Sequence, residues 1–176
     1  ERAYLALVHG VPAAGDPRRA GLPGGKFEAD GALVIRTQIA RHRTDRQRQA
    51  VVATGGRHAV TRVRLRERFG RPPAAALVEC RLETGRTHQI RVHLAHAGHG
   101  LLGDPVYGGA RRLPLRALPA GAVAAARDFP RQALHAARLG FAHPCSGAML
   151  RFAAPLHADM AALLEGLRGA DDMRTE

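Results

Sequence analysis

Lysine is nearly missing from this chain: Lys26 is the only one, and arginine carries almost all of the positive charge. A GC-rich genome accounts for arginine replacing lysine, but not for the formal net charge of +12. Tryptophan is absent, and the aromatic residues are Tyr4, Tyr107 and five phenylalanines. A basic domain with so few rings points to a polyanion held through its phosphates. Cys80 and Cys145 are too few for a disulfide framework or a zinc site, and read as two buried free thiols of a cytosolic protein. No apolar run approaches the length of a membrane span, and no charged-then-apolar signal peptide opens the chain. Binding to a membrane surface would need a basic amphipathic helix with large apolar residues, and none is visible.

The 176 residues suffice for one domain with a buried core. The chain starts at Glu1 and runs at once into the strand-like Ala3-Tyr4-Leu5-Ala6-Leu7-Val8, so its first residue reads as an internal cut. Residues 1–10 read as a strand ending at Gly10, followed by a Gly-, Pro- and Arg-rich loop over 12–25. A short strand is expected over 32–39, then a charged segment over 41–49. Ala59 to Arg66 alternates apolar residues with arginine, the period of a half-exposed strand. Residues 70–73 supply a turn, and 76–82 return as the partner strand. The arginine face of this hairpin reads as a solvated sheet face, with contact to nucleic acid as the second reading. Thr87 is placed to cap a helix carrying Ile90, Leu94 and Ala97 on one face and ending at Gly98. A long connection over 109–131 contains a weak helix at 121–127. Strands over 133–142 and 149–153 flank a turn at 143–147, and a closing helix spans 159–167 before a polar tail that should fray. Hairpins outnumber strand–helix–strand units. The fold class is therefore α+β, a mostly antiparallel mixed sheet with flanking helices.

Three groups of residues invite chemical readings. His93, His96 and His99 recur every third residue, but His99 lies beyond the helix end and no acidic ligand stands near. They read as helix-surface residues or partners of backbone groups rather than metal ligands. Asp45 in His42-Arg43-Thr44-Asp45-Arg46 could act as a nucleophile, yet a charged loop is the simpler reading. Asp104, in Gly103-Asp104-Pro105, is a turn-former whose carboxylate bonds nearby amides, and it could also brace the segment from Arg86 to Arg91.

The most informative stretch is Leu82-Glu83-Thr84-Gly85-Arg86-Thr87-His88-Gln89-Ile90-Arg91-Val92-His93-Leu94, continued by Gly98-His99-Gly100-Leu101-Leu102-Gly103-Asp104-Pro105-Val106-Tyr107-Gly108. Together these resemble the third signature block of the RluA-type pseudouridine synthases, with order and spacing intact. Arg2-Ala3-Tyr4-Leu5-Ala6-Leu7-Val8 is similar to that family's Lys-x-Tyr-x-Ala-x-Val strand. The blocks Arg131 to Ala136, His143-Pro144-x-Ser146-Gly147 and Ala154-Pro155-Leu156-x-x-Asp159-Met160 follow in family order and look most like the RluD branch. The departures are Gly100 in place of proline and Arg57-His58 in place of Lys-Pro.

The resemblance implies an enzyme without cofactor or metal that isomerises uridine to pseudouridine in RNA, acting on large-subunit 23S ribosomal RNA in the cytoplasm. It implies catalytic roles for Tyr4, stacked on the target base, and for Arg91, paired with the nucleophilic aspartate. A nucleophilic carboxylate in a partly buried pocket must stay ionised, which a guanidinium fork secures. Arg86, His88 and Gln89 would bind the substrate at the helix start. The family's His-Arg-Leu-Asp-x-x-Thr-Ser-Gly block falls upstream of Tyr4 and is not in this sequence. Residues 1–170 are thus expected to be the C-terminal portion of a catalytic domain, with 171–176 a tail, and to be inactive alone. The reading from another class is an RNA-binding module without catalysis.

Overall fold

The computed structural model describes residues 1–14, 22–108 and 113–172. Its strands are β1 (Arg2–His9), β2 (Gly25–Phe27), β3 (Leu33–Arg41), β4 (Gln49–Val52), β5 (Arg57–Phe69), β6 (Ala75–Leu82), β7 (Leu134–Ala142) and β8 (Met149–Ala153). Its helices are α1 (Gln89–His96), α2 (Ala120–Arg127) and α3 (Ala158–Asp172). The strands form one sheet in the order β2-β3-β5-β6-β1-β7-β8, with β4 paired to β3. Every pairing among the described residues is antiparallel, so the expected mixed character is not seen.

Alternation along the central strands divides the core into two layers. Ala6 and Val8 of β1, Val78 and Cys80 of β6, and Val63 of β5 face α1, where Ile90, Leu94 and Ala97 meet them. Leu7 and Leu77 face the other way, against Ala122 and Ala126 of α2 and Met160, Leu163 and Leu167 of α3. Each layer removes a continuous apolar surface from water, the main force holding helices to the sheet. A third, smaller cluster joins Val92 of α1 to Ile39, Val51, Ala59 and Tyr107, and fastens the β3–β4 hairpin over the helix.

The β5–β6 hairpin, the 121–127 helix and the β7–β8 pair fall on the segments expected for them. Strands β2 and β4 went unread because three or four residues give too little alternation. α3 continues past the expected end to Asp172, and residues 173–176 of the expected tail lie outside the described residues. The arginine face of β5 is an ion-pair lattice: Arg62 meets Glu28 and Glu83, Arg64 meets Asp30, and Arg66 meets Glu79. Glu79 is almost fully buried and also takes Arg81 and Arg138. Burial alone would raise its carboxyl, but these guanidiniums hold it below the ordinary value. Of the two cysteines only Cys80 is buried, whereas Cys145 is exposed in the β7–β8 turn, where a small polar connection leaves nothing to cover it. Burial raises the Cys80 thiol to about 12, which keeps it protonated.

Candidate active site

α1 starts without a conventional cap. The residue before it is His88 in the left-handed conformation (φ 55°), so Thr87 does not cap the helix as expected. Gln89 does that work from inside. It is 2 % exposed, and its side-chain oxygen accepts the Arg86 N–H at 2.9 Å and the Thr84 hydroxyl at 2.8 Å. Its amide nitrogen donates to the Val60 carbonyl and to Thr61 Oγ1, both at 3.0 Å. All four hydrogen-bonding positions of the amide are filled, so Gln89 positions the loop and has nothing left for a substrate. The sequence reading placed Gln89 among the substrate-binding residues, and in the structure its amide is engaged within the protein.

His93 follows one turn later and is fully buried. Its ring bonds Thr61 Oγ1 at 2.8 Å and Thr37 Oγ1 at 2.9 Å, pinning α1 to β5 and β3. Burial lowers its pKa to about 4, so the ring is neutral. His96 meets the Pro23 carbonyl and His99 the His9 carbonyl, which gives the three histidines separate partners.

Arg91 projects from the middle of α1 and is held on two sides. Its Nε and Nη2 donate to the two oxygens of Asp104, each at 2.8 Å. The Asp104 carboxylate also accepts the Val106 and Tyr107 amides at 2.9 and 3.0 Å. Burial pushes this carboxyl up, but Arg91 and the two amides outweigh it and hold it below its ordinary value. The turn depends on Gly103, with φ 67°, where a Cβ would lie 2.2 Å from the Arg131 carbonyl oxygen. Both roles read for Asp104, turn-former and brace, are therefore present. Below the guanidinium lies the Tyr107 ring, 4.8 Å from Cζ to the centroid, a cation–π contact. Asp104 uses one edge of the fork, and among the described residues nothing uses Nη1.

Tyr107 ties the rest together. Its hydroxyl accepts the Gln49 N–H at 2.7 Å and meets His88 Nδ1 at 3.0 Å. The pair is satisfied with the phenol donating to Nδ1, which places the imidazole proton on Nε2. Desolvation, then the nearby Arg91 charge, lower the His88 pKa and keep the ring neutral. Arg86 anchors its Nε on the His58 carbonyl at 2.9 Å, half-buried at the same helix start.

Tyr4 lies on the α1 side of β1, opposite Cys80 of β6 and Ala136 of β7, beside a bulge at Ala3/Tyr4. It is half-buried against the layer that contains Ile90, and no group among the described residues bonds its hydroxyl. Tyr4 and Arg91 thus belong to one face without touching. Asp45 sits in the exposed β3–β4 connection, its carboxylate accepting the Gln47 N–H at 3.0 Å. A cavity of about 910 Å³ adjoins the Asp104 turn, but Tyr4, Arg86, His88 and Arg91 do not line it. The link from Tyr107 to Gln49 and His88 went unread, because only the fold brings β4 and the 101–108 turn together over α1.

A family model described as RNA pseudouridylate synthase matches residues 1–96, which include Tyr4, Arg86, His88 and Arg91. The chain belongs to this family. Among curated RNA pseudouridylate synthases, it is 51% identical over 168 residues to ribosomal large subunit pseudouridine synthase D of Nitrosomonas europaea, covering 96% of this chain and 41% of that protein. It is 47% identical over 167 residues to the protein of the same name from Xanthomonas campestris, covering 95% and 44%. The chain therefore spans less than half the length of these curated relatives. Among solved structures, human RNA pseudouridylate synthase domain containing 4 matches with a TM-score of 0.60 at 25% identity, over 95% of this chain and 62% of that one. The human domain-containing-1 protein gives the same TM-score at 21% identity, over 95% and 65%, a likeness of fold.

Proposed function

We propose that this chain is the Tyr- and Arg-bearing part of a pseudouridine synthase that isomerises uridine in large-subunit ribosomal RNA. The observation that carries the reading is the state of Arg91: one edge locked by Asp104, its plane supported by Tyr107, its other edge unused among the described residues. A second carboxylate meeting that open edge would be kept ionised in a desolvated site. The relatives' names, ribosomal large subunit pseudouridine synthase D, support the substrate class.

In this reading the target uridine leaves its stack, because the glycosidic bond cannot be reached otherwise. Tyr4, with its free hydroxyl, supports the flipped base. His88 presents its Nε2–H, and Arg86 its guanidinium, to the nucleotide. An aspartate from the family's upstream block activates the ribose carbon, and the uracil detaches, turns and rejoins through C5. The scheme calls for no metal or cofactor, and it places the protein in the cytoplasm with its RNA.

This sequence holds no His-Arg-Leu-Asp block, and its acids at the site are engaged: Asp104 by Arg91, Asp45 by its own turn. The chain alone is expected to bind ribosomal RNA without converting it. Incubation with a large-subunit RNA transcript, followed by mass spectrometry of the nucleosides, checks this. Measurable pseudouridine from the chain alone would return Asp45 to the role of nucleophile.

A further inference from the structure

Two groups of arginines differ in their partners. On the open sheet face each meets a carboxylate, as Arg62, Arg64, Arg66, Arg81 and Arg138 do. The connection from β3 to β4 is different. It carries Arg41, Arg43, Arg46 and Arg48 against one acid, Asp45, whose carboxylate is taken by the Gln47 amide. Among the described residues none of these four guanidiniums meets a carboxylate.

The connection is also fixed in place. Gln38 to Arg41 pair with Val52 to Gln49, the Gln49 amide is tied to the Tyr107 hydroxyl, and Val51 packs beside Val92 of α1. Arg48 lies over the Tyr107 ring at 5.5 Å, and its Nε is buried without a hydrogen-bond partner among the described residues. A buried donor left unpaired is costly, and an incoming acceptor relieves that cost. One ring thus carries two guanidiniums, Arg91 neutralised by Asp104 and Arg48 with no carboxylate partner among the described residues. The positive track continues toward the start of α1: Arg57 stands opposite Ile39, and Arg86 reaches the His58 carbonyl next to it.

We propose that the Arg41–Arg48 connection is a grip for the phosphodiester backbone of the RNA, with Arg48 its fixed contact and Arg41, Arg43 and Arg46 its outer contacts. This rests on the RNA-modifying reading above. A lone carboxylate would occupy one fork, whereas four unpaired forks beside a nucleotide site suit a polymer charged at every unit. The ring under Arg48 holds its planar group ready, so little rotamer freedom is lost on binding.

The test is fluorescence anisotropy of the whole chain with a short labelled single-stranded RNA across a salt series. The double variant Arg43→Gln, Arg46→Gln should reduce the magnitude of the slope of log K against log salt by about 1.4, at about 0.7 per phosphate contact. Arg48→Gln should reduce it by about 0.7, and Arg48→Lys should keep the slope while losing affinity. The charge-matched control is Arg68→Gln, Arg71→Gln at the far end of the β5–β6 hairpin, both exposed and without a carboxylate partner among the described residues. It should leave the slope unchanged. Equal effects of loop and control pairs would reduce the charge to a diffuse field and overturn the grip. Tight RNA binding untouched by the loop variants would overturn the grip and leave the RNA reading standing. Wild-type chain that is folded by circular dichroism yet binds no RNA at low salt would remove both. Displacement of the RNA by polyglutamate at equal charge concentration would make an acidic protein the occupant and also overturn the proposal.

Discussion

Arg91 owes its orientation to a carboxylate on another segment, which makes Asp104 as consequential as Arg91 itself. Asp104→Ala leaves a nearly buried guanidinium unpaired and should cost roughly 3–5 kcal/mol of stability. Urea unfolding would measure it, and a loss within the range of an exposed surface pair would contradict the burial of this contact. In a form that carries the upstream aspartate block, Arg91→Ala should depress single-turnover rate far more than RNA affinity, and Arg91→Lys should restore only part, lacking the fork. Equal, large losses of rate and affinity would make Arg91 a phosphate contact instead. The motif spacing that singled out Tyr4, Arg86, His88 and Arg91 runs along the chain and could be read without the fold. The bonds of the Gln89 amide to Thr84, Arg86, Val60 and Thr61 were not legible, since only the fold brings those groups to it.

The helix α1 is held to the sheet by apolar packing and by one buried imidazole. Folded His93 has its pKa lowered by burial to about 4 from 6.5. Below pH 6.5 the unfolded chain takes up a proton that folded His93 refuses until about pH 4, so stability is full above that window and falls as the pH drops through it. The loss should approach roughly 3 kcal/mol. Denaturant midpoints at pH 6.5 and near pH 4 test this against His93→Asn, which should start less stable and show a flatter dependence. Identical dependence in both proteins would remove His93 as the cause. The central hairpin was readable because apolar residues alternate with arginine along β5 and a turn at 70–73 leads into the apolar run of β6. The hairpin β3–β4 was not, because β4 is four residues long and is fixed by Tyr107, far along the chain.

At the scale of the molecule, charge is sorted rather than uniformly spread among the described residues. Arginine on the open sheet face is neutralised, with Glu79 serving three guanidiniums, while Arg41, Arg43, Arg46 and Arg48 meet no carboxylate among the described residues. Glu79→Gln should therefore lower stability by roughly 1–3 kcal/mol and leave RNA affinity unchanged, checked by thermal unfolding beside a binding titration. A gain in RNA affinity would show that Glu79 had been restraining a binding surface. Net charge was visible in the composition, but its sorting was not, since ion pairs depend on strand register.

The central claim is that these residues complete a pseudouridine synthase site once an aspartate block is supplied. The most direct measurement replaces the matching segment of the Nitrosomonas europaea relative with this chain and counts pseudouridine in a large-subunit RNA transcript by mass spectrometry. Site-specific conversion by the chimera is expected, abolished by Tyr4→Phe with RNA binding retained. A chimera that folds and binds the transcript yet forms no pseudouridine would contradict it.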